Sequence, residues 1–153
     1  MTDIYSKNKR SRIMSKIFGK ETKYEILVRK FLFEKGFRYR KNDKRLPGRP
    51  DIVLPKYKTI IFIHGCFWHG HHCKAAKLPE TNKEFWENKI NSNIERDKNN
   101  QLVLRKLGWK IIIIWQCELK NKKMITEKLK EIEQKIQNKC INQPKGQGRE
   151  NYF

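Results

Sequence analysis

Two apolar, β-branched runs separated by a long helical stretch constrain this fold more than any other feature of the sequence. Residues 59–64 and 111–115 are typical of strands buried on both faces of a sheet. Residues 83–107 predict one long helix, which Gly108 ends. Because a strand–helix–strand connection favours a right-handed crossover, the two strands should be parallel neighbours. The sequence therefore predicts an α/β domain in which both strands end at the same edge of a sheet.

The flanking segments predict one folded domain over residues 20–138, which is a normal size for a chain of 153 residues. We expect a helix over 21–35, a half-buried strand around Phe37 and Tyr39, and a last helix over 124–137. Two turns, at 46–50 and 55–58, enclose a short strand at 51–54. Residues 1–19 predict a basic arm, flexible or weakly helical, and residues 139–153 a disordered tail that carries Cys140 as a free thiol.

The chain carries a large surplus of positive charge. It has 36 Lys and Arg against 16 Asp and Glu, a formal net charge of +20. Such a surplus repels itself in the compact state and is typical of proteins that bind nucleic acid. The longest apolar run has five residues, far below the roughly 20 of a membrane span, and no apolar signal segment is visible. We expect a cytoplasmic, nucleoid-associated protein of bacteria with no membrane partner.

Histidine and cysteine cluster in one short segment, residues 63–73. All four histidines of the chain and two of its four cysteines fall there: His64, Cys66, His69, His71, His72 and Cys73. Because nothing indicates export, a disulfide framework is not expected, and clustered Cys and His favour metal binding. This segment is therefore the predicted chemical centre of the protein.

Asp51 is the first candidate for catalysis. It opens a short strand, and an antiparallel turn into the next strand would place it beside residues 62–64. A carboxylate and a backbone carbonyl at adjoining strand ends form a hard oxygen site for Mg²⁺, which polarises a phosphodiester and activates water. Glu25, on the preceding helix, is a candidate second carboxylate. The alternative for Asp51 is a simple turn or cap acid.

Two histidines are candidates for proton transfer. The usual nuclease pattern of this type has an acid and then an acid and a lysine on the next strand. Here Phe62 and His64 occupy the last two positions. Imidazole titrates near neutrality and can pass protons. We expect His69 to act as general base and His64 to contact the scissile phosphate; a structural or metal-binding role is the alternative.

A second, structural metal site is predicted from Cys66, His71, Cys73 and Cys117. Cys117 follows the 111–115 strand, so a parallel sheet would bring it close to Cys66. Three thiolates and one imidazole form a closed tetrahedral site suited to Zn²⁺. His72 is an alternative to His71 as the fourth ligand.

Phe67 and Trp68 lie between these metal ligands, and Trp86 begins the next helix. Large aromatics on a tethered loop of a basic protein predict wedges between DNA base steps. Ordinary core packing is the alternative, and we expect it for Trp109 and Trp115.

At this point the chain resembles the very-short-patch mismatch repair endonucleases. The resemblance runs from about residue 8 to 120. The matching motifs are Arg10-Ser11 with Met14, Leu46-Pro47-Gly48-Arg49-Pro50-Asp51, Ile61-Phe62-Ile63-His64-Gly65-Cys66-Phe67-Trp68-His69, His71-His72-Cys73, Phe85-Trp86-Glu87-Asn88-Lys89-Ile90, Asn93-Ile94-Glu95-Arg96-Asp97, Leu107-Gly108-Trp109 and Trp115-Gln116-Cys117. Two positions depart from the family pattern, because Ile63 replaces a usual threonine and Gly70 a usual histidine.

The resemblance implies a restriction-endonuclease-like α/β fold, a variant of the PD-(D/E)xK nucleases with a mixed central sheet flanked by helices. It also implies Mg²⁺-dependent nicking 5′ to the mispaired T of a T·G mismatch. Carried over by position, Asp51 and the Ile63 carbonyl hold Mg²⁺, His69 is the base, and His64 and Glu25 assist it. Cys66, His71, Cys73 and Cys117 hold Zn²⁺. The implied DNA contacts are Phe67, Trp68 and Trp86 beside the mismatch and Arg10, Arg12 and Met14 in the arm.

Three functions compete at this stage. The first is a monomeric mismatch-specific nickase that corrects deaminated 5-methylcytosine, with double-stranded DNA as partner and a functional connection to a cytosine-5 DNA methyltransferase and to mismatch-repair proteins. The second is a zinc-stabilised, non-catalytic DNA-binding module, which has no need of Asp51 or His69. The third is a restriction-type endonuclease that cuts both strands of intact sites.

Overall fold

The computed structural model describes residues 6–15 and 22–138, without the side chains of Arg10 and of residues 13–15. The expected DNA contacts of Arg10 and Met14, the tail from residue 139, and Cys140 lie outside what is described. Within the predicted arm, Lys7–Ser15 form helix α1, on which Arg12 is exposed.

Four helices and four strands make up the described chain. Their order is α1, α2 (Lys23–Glu34), β1 (Arg40–Lys41), β2 (Ile52–Leu54), β3 (Thr59–His64), α3 (Lys83–Lys106), β4 (Lys110–Trp115) and α4 (Lys122–Gln137). Short 3-10 turns at Pro55–Tyr57, Lys74–Ala76 and Gln116–Leu119 complete the secondary structure. The predicted long helix and both long strands are confirmed to within a residue or two at their ends.

The strands form one mixed sheet in the order β1-β2-β3-β4. β1, β2 and β3 are antiparallel neighbours, and Ile52 lies opposite Ile61. β3 and β4 are parallel, with His64 opposite Trp115. The crossover and parallel pair predicted from the sequence are therefore confirmed, and β3 and β4 end at the same edge.

Apolar residues cover both faces of this sheet. On one face, alternate residues of β2, β3 and β4 pack with Val28 and Leu32 of α2 and with Leu129 and Ile132 of α4. On the other face, Leu104 of α3 packs on the remaining strand residues. The result is a mixed α/β fold with helices on both sides of the sheet.

Local chemistry explains where the helices begin and end. The Thr22 hydroxyl accepts a hydrogen bond from the Glu25 N–H and so caps α2, and Asn121 caps α4 in the same way through the Met124 N–H. Gly36 and Gly108 follow the ends of α2 and α3 at φ values of +85° and +87°, which glycine adopts without strain.

Two local predictions were wrong. The alternation at Phe37 and Tyr39 does not form a strand; only Arg40 and Lys41 pair with β2, and Phe37 packs in the core instead. β4 is not buried on both faces, because only Ile112 and Ile114 are buried along it, as expected for the edge of a sheet.

Trp109 and Trp115, expected in the core, are only partly buried. None of the helices in the described chain is long and apolar enough to cross a membrane.

Candidate active site and metal centre

A cavity of about 810 Å³ opens at the sheet edge where β2 begins and β3 ends. The carboxyl and imidazole groups of its wall come from four segments: Glu25 from α2, Asp51 before β2, His64 and His69 from β3 and its loop, and Asp97 from α3. The four catalytic residues predicted from the sequence therefore share one cavity.

Asp51 lies where the antiparallel turn was expected to place it. Its Oδ2 accepts a hydrogen bond from the Ile63 N–H at 2.7 Å. Burial raises the pKa of Asp51 to about 6; this hydrogen bond opposes the rise and the nearby Glu25 carboxylate adds to it. The negative charge of this partly buried carboxylate is therefore incompletely compensated by its neighbours, and a bound cation would compensate it.

Glu25 is nearly fully buried on the first turn of α2, and its carboxylate accepts a hydrogen bond from the Thr22 hydroxyl at 3.3 Å. Because it lines the same cavity as Asp51, the two carboxylates form an acidic wall. Oxygen ligands of this kind fit Mg²⁺. Ile63 also lines the cavity, and its observed contact with Asp51 is made by its N–H group.

His64 and His69 stack face to face with ring centroids 3.8 Å apart and an interplanar angle of 5°. Burial, and next the neighbouring His69, lower the pKa of His64 to about 4. His64 is therefore neutral at physiological pH. Within the described residues its buried Nδ1 has no hydrogen-bond partner.

His69 is held by an acid from α3. Its Nδ1 lies 2.5 Å from Oδ2 of Asp97. Burial acts to raise the pKa of Asp97, but the hydrogen bond and charge of His69 prevail and lower it. An ionised carboxylate only accepts hydrogen bonds, so Nδ1 carries the proton and Nε2 of a neutral ring is left with a free lone pair. The geometry is that of an oriented general base.

Three sulfurs and one ring nitrogen lie together beyond the end of the sheet. One ligand atom from each of Cys66, His71, Cys73 and Cys117 lies within 4.8 Å of the others. His72 is exposed and does not belong to this cluster. The parallel pairing of β3 with β4 thus places Cys117 beside Cys66, as expected, and the cluster can hold a metal ion. The ligand atoms of His64, His69 and Asp97 are also this close to one another.

The thiols of the cluster influence one another. Burial, and then Cys66 and Cys73 nearby, raise the pKa of Cys117 to about 11. Burial opposes ionisation of Cys73 too, but hydrogen bonds from Cys66 and from the backbone N–H groups of Ala75 and Ala76 lower its pKa. One thiolate is thus favoured and another disfavoured, a conflict that a bound cation would remove.

The predicted wedge residues form one aromatic cluster. Ring centroids of Phe67 lie 5.0 Å from Trp68 and 5.4 Å from Trp86. Trp68 also lines the large cavity, and its carbonyl accepts a hydrogen bond from the Asn93 side chain at 3.0 Å. Phe85 is 61% exposed and packs edge-on against Trp86, with ring centroids 5.2 Å apart.

The comparisons with known proteins agree with one family. The family model described as DNA mismatch endonuclease Vsr matches residues 2–75. The chain is 57% identical over 136 residues to type II nicking enzyme V.NmeAIP of Neisseria meningitidis serogroup A, covering 89% of this chain and 97% of that one. It is 42% identical over 127 residues to DNA mismatch endonuclease Vsr of Escherichia coli K12, covering 83% and 81%.

The chain belongs to the Vsr endonuclease family. The resemblance found in the sequence is confirmed, and with it the class of enzyme: a DNA endonuclease, which hydrolyses phosphodiester bonds. A further member, type II nicking enzyme V.XorIIP of Xanthomonas oryzae pv. oryzae, is 39% identical over 132 residues, covering 86% of this chain and 97% of that one.

Several groups at the site of this Vsr family member were not assigned from the sequence. Asp97 orients His69, and Asn93 holds the loop at Trp68. The signal for both was their place in the motif Asn93-Ile94-Glu95-Arg96-Asp97, to which no role was assigned. The loop departure is also explained: Gly70 has φ +64°, and a Cβ there would lie 2.5 Å from Cδ1 of Ile94. Ile94 occupies the space that a larger residue at 70 would need.

Proposed function

We propose that this protein nicks DNA 5′ to the mispaired T of T·G mismatches, in a Mg²⁺-dependent hydrolysis. One observation carries the proposal: the partly buried Asp51 and the His69–Asp97 pair line the same cavity, and Trp68 lines its wall. The proposed cleavage centre thus lies next to Trp68, an aromatic side chain that can insert between stacked bases. The proposed fold class is the restriction-endonuclease-like one, to which the mixed sheet and flanking helices conform.

His69 is the proposed general base. Asp97 holds its Nδ1–H, so Nε2 takes the proton of the attacking water. The imidazolium that forms is stabilised by the carboxylate that already contacts it. His64, kept neutral by burial, contacts the scissile phosphate as a hydrogen-bonding group and adds no positive charge of its own.

Asp51 and the Ile63 carbonyl are the proposed Mg²⁺ ligands, with Glu25 assisting. When bound, Mg²⁺ would polarise the phosphodiester and lower the pKa of the attacking water. The fit is supported by the buried Glu25 and partly buried Asp51 carboxylates on one cavity wall and by the raised pKa of Asp51. Asp51 must lose its proton to serve as a ligand, so binding is favoured above pH 6.

Cys66, His71, Cys73 and Cys117 are the proposed ligands of a structural Zn²⁺. The donor set of three sulfurs and one nitrogen suits this ion. The His71 ring stacks on Trp115 with centroids 4.1 Å apart and Nδ1 3.4 Å from the Cys117 sulfur, so its orientation is set by β4. The ion would tie the catalytic loop to the end of β4.

Phe67, Trp68 and Trp86 are the proposed wedge beside the mismatch. Opening a base step costs a few kcal/mol, and least where pairing is already imperfect. A wedge next to the cleavage centre therefore favours mismatched DNA. We also propose Arg10, Arg12 and Met14 as DNA contacts of the arm, the protein as a monomer, and a functional connection with a cytosine-5 DNA methyltransferase and with mismatch-repair proteins.

The experiment compares a T·G duplex with its T·A counterpart, each labelled on one strand at a time, with Mg²⁺ present. The proposal predicts a single cut, 5′ to the mispaired T, and no comparable cut in the T·A duplex. Equal cleavage of both strands in both duplexes would favour a restriction-type endonuclease. Binding without any cut would favour the non-catalytic module.

A further inference from the structure

The wall of the large cavity contains an arginine to which the mechanism above gives no role. Arg49 lies two residues before Asp51, is exposed, and lines the cavity. Among the described residues its guanidinium forms no ion pair. Arg45, in the same loop, is engaged instead: its Nη2 lies 2.7 Å from the Asp43 carboxylate.

The backbone at Arg49 is strained. Its φ is +47°, in the left-handed region that glycine and asparagine tolerate and that long side chains rarely adopt. The following Pro50 is fully buried and steers the residue before it toward extended conformations. Glycine at position 49 would make this turn without strain. An arginine there is therefore best explained by what its side chain does.

The neighbouring packing fixes the turn against α3. The Arg49 N–H donates to the Leu46 carbonyl at 3.1 Å. A Cβ at Gly48 would lie 3.1 Å from the side-chain nitrogen of Asn100, so the turn and α3 are in close contact. Arg96, one helical turn before Asn100, also lines the cavity. The cavity thus has an acidic wall and, at its rim, two exposed guanidinium groups.

We propose that Arg49 binds a phosphate of the DNA strand at or next to the bond that is cut. Guanidinium groups match phosphate geometry and form strong charge-assisted hydrogen bonds. The strained turn places this arginine at the wall of the cavity that holds the carboxylates, where a polyanion would otherwise be repelled. The inference rests on the proposed function only in taking duplex DNA as the substrate.

Binding to a T·G duplex without Mg²⁺ tests this directly, with the salt dependence measured for each variant. Arg49→Ala should bind about tenfold more weakly, and the slope of log Kd against log salt should fall by about 1. Arg45→Ala is the matched control, because it removes the same charge from the same loop outside the cavity. The affinity loss of Arg49→Ala should clearly exceed that of the control.

Replacing single DNA phosphates by uncharged linkages identifies the phosphate that Arg49 contacts. Duplexes that carry a single methylphosphonate at the scissile or an adjacent position should bind wild type more weakly at one position, and Arg49→Ala should be insensitive to that same replacement. Equal sensitivity of both proteins at every position would overturn the proposal, and so would equal losses for Arg49→Ala and Arg45→Ala.

A stability measurement separates a binding role from a structural one. Arg49→Gly relieves the strain, so its urea midpoint should rise while its affinity for DNA falls. Lys58→Gly, at a φ of +50° outside the cavity, should leave the salt slope unchanged. An Arg49→Gly protein less stable than wild type would assign Arg49 a structural role. The readouts are independent of cleavage, so absence of T·G nicking with an intact Arg49 effect would defeat the proposed function alone.

Discussion

At the scale of single residues, the protein buries charge where its chemistry needs it. Asp51 is partly buried near a second carboxylate, Glu25, and its pKa is raised from 3.8 to about 6. The folded state therefore holds the Asp51 proton more tightly than the unfolded chain does. Stability rises as pH falls through the window from 6 to 3.8, and the ionised carboxylate costs the fold free energy above pH 6.

Asp51→Asn should therefore stabilise the Mg²⁺-free protein at pH 8, by up to about 3 kcal/mol. The asparagine oxygen can still accept the Ile63 N–H bond, and the charge is gone. The gain should shrink as pH falls from 6 toward 3.8, because wild-type Asp51 is then protonated in the folded state and increasingly so in the unfolded chain. Urea unfolding at several pH values checks this. A loss of stability at pH 8, or a gain independent of pH, would contradict it.

Gly70 is a second residue-scale determinant, because the Cδ1 atom of Ile94 occupies the space of any Cβ. Gly70→Ala should destabilise the fold by about 1–3 kcal/mol. Ile94→Val removes that Cδ1 atom, so the double variant should recover part of the loss. A double-mutant cycle on urea unfolding measures the coupling. Strict additivity of the two changes would show that the steric conflict is not the cause.

At the scale of elements, α3 holds the loop that follows β3 and carries Trp68 and His69. Asn93 and Asp97, one helical turn apart, bind the loop at the Trp68 carbonyl and at His69. The proposed base is thus positioned by a helix that packs on the sheet through Leu104. Removing the carboxylate should disturb the tautomer of His69 without opening the fold.

Asp97→Asn should slow nicking by about a hundredfold or more and leave duplex affinity nearly unchanged. Single-turnover kinetics and binding on the same T·G duplex provide both values. Asp43→Asn is a matched control, since Asp43 pairs with Arg45 outside the cavity. Wild-type kinetics in Asp97→Asn would remove Asp97 from the account of His69.

The Cys/His cluster joins two further elements, the β3 loop and the end of β4. Purified protein should contain about one tightly bound zinc, and its removal should cost about 3 kcal/mol or more, the linkage free energy at a hundredfold excess over Kd. Cys117→Ser should lose the metal. His72→Ala, changed at an exposed histidine beside the cluster, should keep it. Full metal content in Cys117→Ser would rule out this ligand set.

The arrangement of helices and strands also shows which contacts of the candidate site can be predicted from the sequence alone. A tight turn between antiparallel strands predicted that Asp51 lies beside residues 62–64. A right-handed crossover between parallel strands predicted that Cys117 lies beside Cys66. The pairing of Asp97 with His69 depends on how a 24-residue helix is rotated against a loop, which hydrophobic periodicity does not determine. The conformation of Arg49 was equally hidden, since an exposed arginine in a turn carries no sign of its φ.

At the scale of the whole molecule, the net charge of +20 and the acidic cavity act on different steps. The positive surface draws in DNA from solution through counterion release and is sensitive to salt. The carboxylates of the cavity repel the same polyanion at short range. A divalent cation at the proposed Asp51 site would reconcile the two, because it would neutralise the carboxylates that face the DNA.

The most direct test of the proposed cation site is single-turnover nicking of a T·G duplex across a Mg²⁺ titration, for wild type and Asp51→Ala. In wild type, the nicking rate should rise with Mg²⁺ concentration and then saturate. In Asp51→Ala, we expect a rate lower by at least about a thousandfold at every Mg²⁺ concentration, with unchanged affinity for the duplex. Cleavage by Asp51→Ala at the wild-type rate, with the same Mg²⁺ dependence, would contradict it.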